Sequence, residues 1–270
     1  MTSYLLECCV DSTESALEAA RGGADRIELC TGLVIGGVTP GPALFEEIRA
    51  QCDLPIRVLL RPRFGDFLYT AHEISVMARE AEIFGRMGAE GIVIGCLQKD
   101  GSLHMEQMRE LMAAACGMKA TLHRAFDLCA DPFETYERAA ELGIDTILTS
   151  GQEKDALSGL SLLKRLGELA QEKEASRTGK DVQGGVNAPA IMAGAGVTPD
   201  VIRQLLSRTG ITRFHLSAKK ILESGMEFRR QGVPMGIPGM DEYSIFRTDA
   251  DVVARARAAV EEAAGRRERL

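Results

Sequence analysis

The chain lacks several features that would name a function at once. None of its seven cysteines forms a CxxC or CxxH pair, which excludes a zinc finger. No serine stands in a nucleophile-elbow motif, so a hydrolase triad has little support. No apolar run approaches the roughly 18 residues of a membrane helix. Basic residues do not dominate: 32 Lys and Arg against 39 Asp and Glu give a net charge of −7, which argues against a nucleic-acid partner. Met1 to Tyr4 carries no basic residue of the kind that opens a signal peptide, and a short apolar strand follows. A cytoplasmic protein is expected, with its odd number of cysteines held as thiols and not as a disulfide framework.

What is present is a soluble composition, 45% hydrophobic and 26% charged over 270 residues. That length suits one (β/α)8 barrel, typically about 250 residues. An internal repeat supports the same fold. Gly23-Ala-Asp-Arg-Ile-Glu-Leu-Cys30, Gly88-Ala-Glu-Gly-Ile-Val-Ile-Gly95, Gly143-Ile-Asp-Thr-Ile-Leu-Thr-Ser150 and Gly210-Ile-Thr-Arg-Phe-His-Leu-Ser217 share one grammar. Each ends a helical pattern on a glycine suited to a left-handed cap and then enters an apolar strand. Leu5–Cys9, Ile56–Arg61, Lys119–His123 and Ala190–Gly194 bring the strand count to eight. Thr39-Pro40, Asp131-Pro132 and Thr198-Pro199 read as helix starts, with Glu134 completing a capping box on Asp131. The last helix is expected near Ala250–Ala263. A single TIM-barrel domain over residues 1–270 follows, with the polar stretch 171–188 read as a flexible insertion at the bottom of the barrel.

Chemistry in such barrels sits at the C-terminal strand ends, where residues two apart share a face. That pairs Glu7 with Cys9, Glu28 with Cys30, Leu148 with Ser150 and His215 with Ser217, and brings Arg61, Arg63, His123 and Asp127 to the same end. Glu7 and Glu28, on adjacent strands, could share a proton, hold a divalent metal or orient a hydroxyl, or each could pair with Arg61 in a structural ion network. His123, beside Arg124 and Asp127, is a candidate proton shuttle, although a lone histidine is more often a satisfied core residue. Arg61-Pro-Arg63 leads into a loop that could close over an anion or simply be solvated. The Gly194–Gly196 turn before Thr198-Pro199 is placed to hold a phosphate or carboxylate, with Ser150, Arg124, His215 and Ser217 nearby. Cys52, Cys96 and Cys116 read as small buried hydrophobes, and Cys129 could reach the rim. Cys8 and Cys9 point to opposite faces of one strand, so any soft-metal grip would join Cys9 to Cys30 across two strands. Plain packing is an equally open role for both.

These motifs together resemble the CutC family of copper homeostasis proteins. The matching stretches include Glu7-Cys-Cys-Val-Asp-Ser, Gly22 to Cys30, Gly36-Gly-Val-Thr-Pro, Ile56 to Phe67, His123-Arg-Ala-Phe-Asp127, Leu148-Thr-Ser-Gly151, Ile191 to Gly196 and Phe214-His-Leu-Ser217. The resemblance implies a (β/α)8 barrel, a role in copper tolerance, Cu(I) held by Cys9 and Cys30 and a dimer or larger homo-oligomer. No organic cofactor, nucleic-acid partner or membrane is expected. Phe64 departs from the family's usual glycine and is expected to narrow the mouth. Two main readings stay open: a Cu(I)-binding homeostasis protein, and a barrel enzyme acting on a small phosphorylated or carboxylated metabolite. A scaffold for partner proteins is a third.

Overall fold

The computed structural model describes residues 4–177, 188–233, 235–236 and 241–267. Eight parallel strands close into a barrel: β1 (Leu5–Val10), β2 (Arg26–Leu29), β3 (Ile56–Leu59), β4 (Gly91–Ile94), β5 (Lys119–Leu122), β6 (Thr146–Thr149), β7 (Ala190–Ala193) and β8 (Arg213–Leu216). β8 pairs with β1 to complete the ring, placing His215 beside Glu7. The (β/α)8 expectation holds.

Helices alternate with the strands: α1 (Thr13–Arg21), α2 (Pro42–Arg49), α3 (Ala71–Arg86), α4 (Met105–Ala114), α5 (Pro132–Glu141), α6 (Leu160–Arg177), α7 (Pro199–Arg208) and α8 (Ala250–Arg267). Their starts follow capping chemistry. Asp131 accepts from the backbone N–H groups of Phe133 and Glu134, and Thr198 accepts from Val201. Thr70 and Glu73 form a reciprocal capping box at α3. Thr39-Pro40 does not start a helix. α2 begins two residues later behind Gly41, and the Thr39 hydroxyl accepts from the Arg61 N–H instead. Gly23, Gly88 and Gly143 take the left-handed conformation that the repeat demands (φ +86°, +84° and +78°). Gly210 is not among the positive-φ residues, and α7 ends on an extended Thr209.

Alternation sorts each strand into two faces. Leu6, Ile27, Val58, Ile92, Leu122, Ile147, Ile191 and Phe214 face outward and form one buried core with the helices. Burying each such side chain stabilises the fold by about 1.5–3 kcal/mol. The inward face is polar in its lower half. Arg57 Nε lies 2.7 Å from Glu90, its Nη1 is 2.9 Å from Asp145 and 2.7 Å from the Thr121 hydroxyl, and Arg213 donates to Thr146 at 3.2 Å. A matched ion network thus plugs the bottom of the barrel.

Further features depart from the sequence reading. Residues 171–177 are the last turns of α6, and 178–187 lie outside the described residues, so the proposed insertion begins inside a helix. Cys116 is exposed, at φ +48° after α4, because it turns the chain there instead of packing. An antiparallel pair, β9 (Lys219–Glu223) and β10 (Ser244–Thr248), stands between β8 and α8. It docks on α1, where Thr248 N–H donates to Ser15 at 3.2 Å. All seven cysteines are free, as expected, and Cys52 and Cys96 are buried. Cys129 is buried too, and does not reach the rim.

Candidate active site at the barrel mouth

A cavity of about 620 Å3 opens at the C-terminal ends of the strands. Of the candidate residues, Cys9, Glu28, Arg61, His123, Arg124, Gly196, His215 and Ser217 line it. Glu7, Cys30, Arg63, Asp127, Ser150 and Gly194 are not among its lining residues.

The two glutamates sit in different environments. Glu7 is fully buried, with Oε2 2.5 Å from Arg26 Nε and Oε1 2.8 Å from His215 Nδ1. Burial alone would raise its pKa, but the Arg26 charge and the His215 hydrogen bond overcome this and lower it to about 2. Arg61 is not its partner. Glu28 faces Cys9 in the β1–β2 register and is 6% exposed, and its Oε2 has no hydrogen-bond partner among the described residues. Burial, with the Glu7 charge adding to it, raises its pKa to about 7. Burial disfavours charge on His215, yet Cys9, Glu28 and the bond to Glu7 outweigh it and hold its pKa well above the ordinary value.

Arg61 is fastened by backbone oxygens. Its Nη1 donates to Gly37 at 3.0 Å and its Nη2 to Gly65 at 2.9 Å, while the guanidinium lies 5.2 Å from the Phe67 ring centre. Its Nε is left without a partner among the described residues. His123 follows β5, and its Nδ1 accepts from the Ala125 N–H at 3.1 Å. The proton of the neutral ring therefore sits on Nε2, which is buried and unpartnered among the described residues. Burial, reinforced by Arg61, lowers the His123 pKa to about 3, so the ring is a neutral donor. Gly95 makes room for it: a Cβ there would lie 2.6 Å from the His123 ring.

The remaining candidates brace the mouth. Asp127 accepts from the Thr149 hydroxyl (2.5 Å), the Ser150 and Gln152 N–H groups (3.0 and 3.2 Å) and Arg124 Nε (2.7 Å). Ser150 also accepts from Arg124 Nη2 at 3.0 Å. Asp127 and Ser150 thus tie the turn after β5 to the end of β6. Arg63 turns away to Glu73 (2.6 Å) and Asp66 (2.9 Å), and Phe64 is 67% exposed and absent from the lining, so it does not narrow the mouth. Gly194 packs on Leu148, whereas Gly196 reaches the cavity at φ +66°.

Sequence reading missed two groups. Arg26, the counter-ion of Glu7, stands two residues before Glu28 on the same face, so strand alternation could have found it. Lys219 and Arg247 reach the cavity wall from β9 and β10. No local motif marks those strands.

Cys30 belongs to a small inward cluster with Leu59 and Val93, and its thiol donates to the Val10 carbonyl at 3.5 Å. Burial pushes this thiol well above its ordinary pKa. Cys9, by contrast, faces the cavity.

The sequence profile described as "CutC family" matches residues 4–220, ending inside β9. A human "Copper homeostasis protein cutC homolog" is 41% identical over 251 residues, 93% of this chain and 86% of the relative. A protein of Histophilus somni named as a family protein CutC is 40% identical over 248 residues, 92% and 96% of the two chains. The crystal structure of the putative copper homeostasis protein CutC from Streptococcus agalactiae superposes with a TM-score of 0.70 at 24% identity, over 80% of this chain and 99% of that one, a likeness of fold. Among the described residues, no helix is long and apolar enough to cross a membrane. The profile match and the extent of these identities make this chain a member of the CutC family.

Proposed function

We propose that the chain serves copper homeostasis in the cytoplasm, the role in its relatives' names, and that its barrel mouth performs proton transfer on a small anionic carbonyl or carboxylate compound. The observation that carries the chemical part is that three residues lining one cavity, Glu28, Arg61 and His123, each keep a buried polar atom (Oε2, Nε and Nε2) without a partner among the described residues. Buried polar groups are normally satisfied, so an exception calls for an explanation, and on residues that line a cavity a ligand supplies one. His123 and Arg61 donate to an oxygen of the ligand, where negative charge develops. Glu28, with a pKa of about 7, exchanges a proton with the carbon or oxygen beside it. Lys219, Arg247 and the backbone at Gly196–Thr198 take the anionic end.

The test is solvent exchange. Small oxo-acids and phosphorylated carbonyl compounds that raise the melting temperature are incubated with protein in D2O and followed by proton NMR. Deuterium enters the bound compound with the wild type and not with Glu28→Gln. Binding without exchange, or exchange untouched by that substitution, would overturn the reading.

Cu(I) bound by Cys9 and Cys30 is the second reading, favoured by two thiols on the inward face of adjacent strands. Cys9 fits it as a cavity-lining donor. Cys30 would first have to surrender its proton and its bond to Val10. An anaerobic Cu(I) competition titration decides: tight binding lost in both Cys9→Ser and Cys30→Ser supports it, and unchanged binding in either removes it.

A further inference from the structure

Three neighbouring strands bring three metal-capable side chains to one place inside the barrel. His215 on β8 and Glu7 on β1 are partners in the strand register, and Glu28 on β2 stands opposite Cys9, two residues further along. One potential ligand atom of each lies within 4.8 Å of the other two. Glu7 and Glu28 are 0% and 6% exposed, and the His215 side chain is 11% exposed. Such clustering alone does not assign an ion. The second observation is Glu28 Oε2, buried on a residue that lines the cavity and without a partner among the described residues. Two carboxylates so close repel when both are ionised, unless a proton or a cation stands between them. Arg26 lies 2.5 Å from Glu7 Oε2 and makes no bond to Glu28 Oε2.

We propose that Glu7, Glu28 and His215 are the protein ligands of one divalent transition-metal ion, whose remaining positions open to the cavity. Arg26 holds Glu7 Oε2 and so directs Oε1 toward His215, the kind of outer bond that fixes a ligating carboxylate. Glu7 Oε1 and His215 Nδ1 are 2.8 Å apart. That is close to the spacing of two adjacent ligands around an ion held at about 2.0–2.2 Å. An ion entering there displaces the proton that the two groups now share. Glu7 thus stands on a border, with one oxygen in the matched lower network and the other at the site. One imidazole and two carboxylates suit Zn2+, Mn2+ or Co2+. The set offers no thiolate to Cu(I), and too few oxygens for Ca2+, which takes about 6–8. Charge agrees, since two carboxylates neutralise a divalent ion. The inference goes beyond the proton-transfer reading and stands without it. Metal and proton compete for the Glu28 carboxylate, so a filled site holds back the exchange that Glu28 performs.

The probe is Zn2+ alone, titrated into chelator-treated protein against a chromophoric competitor, with no organic ligand present. The expected result is one ion per chain. Affinity should fall at least about tenfold in each of Glu7→Gln, Glu28→Gln and His215→Gln, the low end of what losing even an outer partner costs. The double variant Cys9→Ser/Cys30→Ser binds Zn2+ as the wild type does, which separates this site from the two-thiol Cu(I) reading. Mn2+ on the unaltered protein gives a readout that needs no variant to fold: pulsed EPR shows a directly bound histidine nitrogen. Failure of Zn2+ to saturate at one per chain, or affinity indifferent to Glu28→Gln or His215→Gln, would overturn the proposal. Affinity lost with the two cysteines, or an Mn2+ complex without a bound nitrogen, would do the same. Solvent exchange in metal-free protein is read separately, so either idea can fail alone.

Discussion

The two ends of the barrel interior hold similar residues and treat them in opposite ways. At the bottom, Arg57 is matched to Glu90, Asp145 and Thr121, and just above it Glu7 is matched to Arg26 and His215. At the mouth, Glu28, Arg61 and His123 each keep a buried polar atom without a partner among the described residues. Matched buried charge holds a structure in one arrangement, because losing either partner strands the other. Unmatched polarity costs stability and is retained where a ligand completes it. The lower half is scaffold and the upper half is site.

The comparison can be broken most forcefully from below. Arg57→Met leaves Glu90, Asp145 and Thr121 facing an apolar group, and urea denaturation should show a loss of about 3–5 kcal/mol. A loss under about 1 kcal/mol would mean that the network does not hold the barrel.

Next in size are the pH effects, which run in opposite directions for the two glutamates. The folded state keeps Glu28 protonated up to about 7 against an ordinary 4.5, so it binds more protons than the unfolded chain between those values. Its contribution to stability is present below 4.5 and is lost as pH rises through about 7. Glu7 is lowered to about 2, so its contribution is present above 4.5 and is lost as pH falls through about 2. Denaturation curves across pH should lose the neutral slope in Glu28→Gln and the acid slope in Glu7→Gln.

Smaller effects are expected at the rim. Lys219→Gln and Arg247→Gln should weaken an anionic ligand several-fold, read by calorimetry, with melting temperature nearly unchanged. Smallest of all, Arg109→Ala removes an exposed pair with Glu141 at 2.9 Å and should cost roughly 0.2–1 kcal/mol.

The barrel itself was legible because its grammar is local. A left-handed glycine, an acidic or polar pair and a short apolar run recur at Gly23, Gly88 and Gly143, and proline-marked caps fix α5 and α7. Strand alternation likewise brought Glu28, His215 and Cys9 to one face. What the sequence could not show was partnership. Whether Arg61 meets a glutamate or the carbonyls of Gly37 and Gly65 depends on loop paths that no periodicity encodes. Asp127 looked catalytic because it follows His123, yet hydrogen bonds from across the sheet turn it into a brace. β9 and β10 lie in a stretch without a repeat, so Lys219 and Arg247 could not be placed at the mouth.

Carboxyl-carbon NMR on protein labelled at glutamate, assigned with Glu7→Gln and Glu28→Gln, tests the contrast between matched and unmatched halves most directly. The account predicts that Glu28 titrates near 7 while Glu7 stays ionised down to about 2. Glu28 titrating at or below the ordinary glutamate value would reveal a partner that completes it, and the mouth would then be scaffold like the rest.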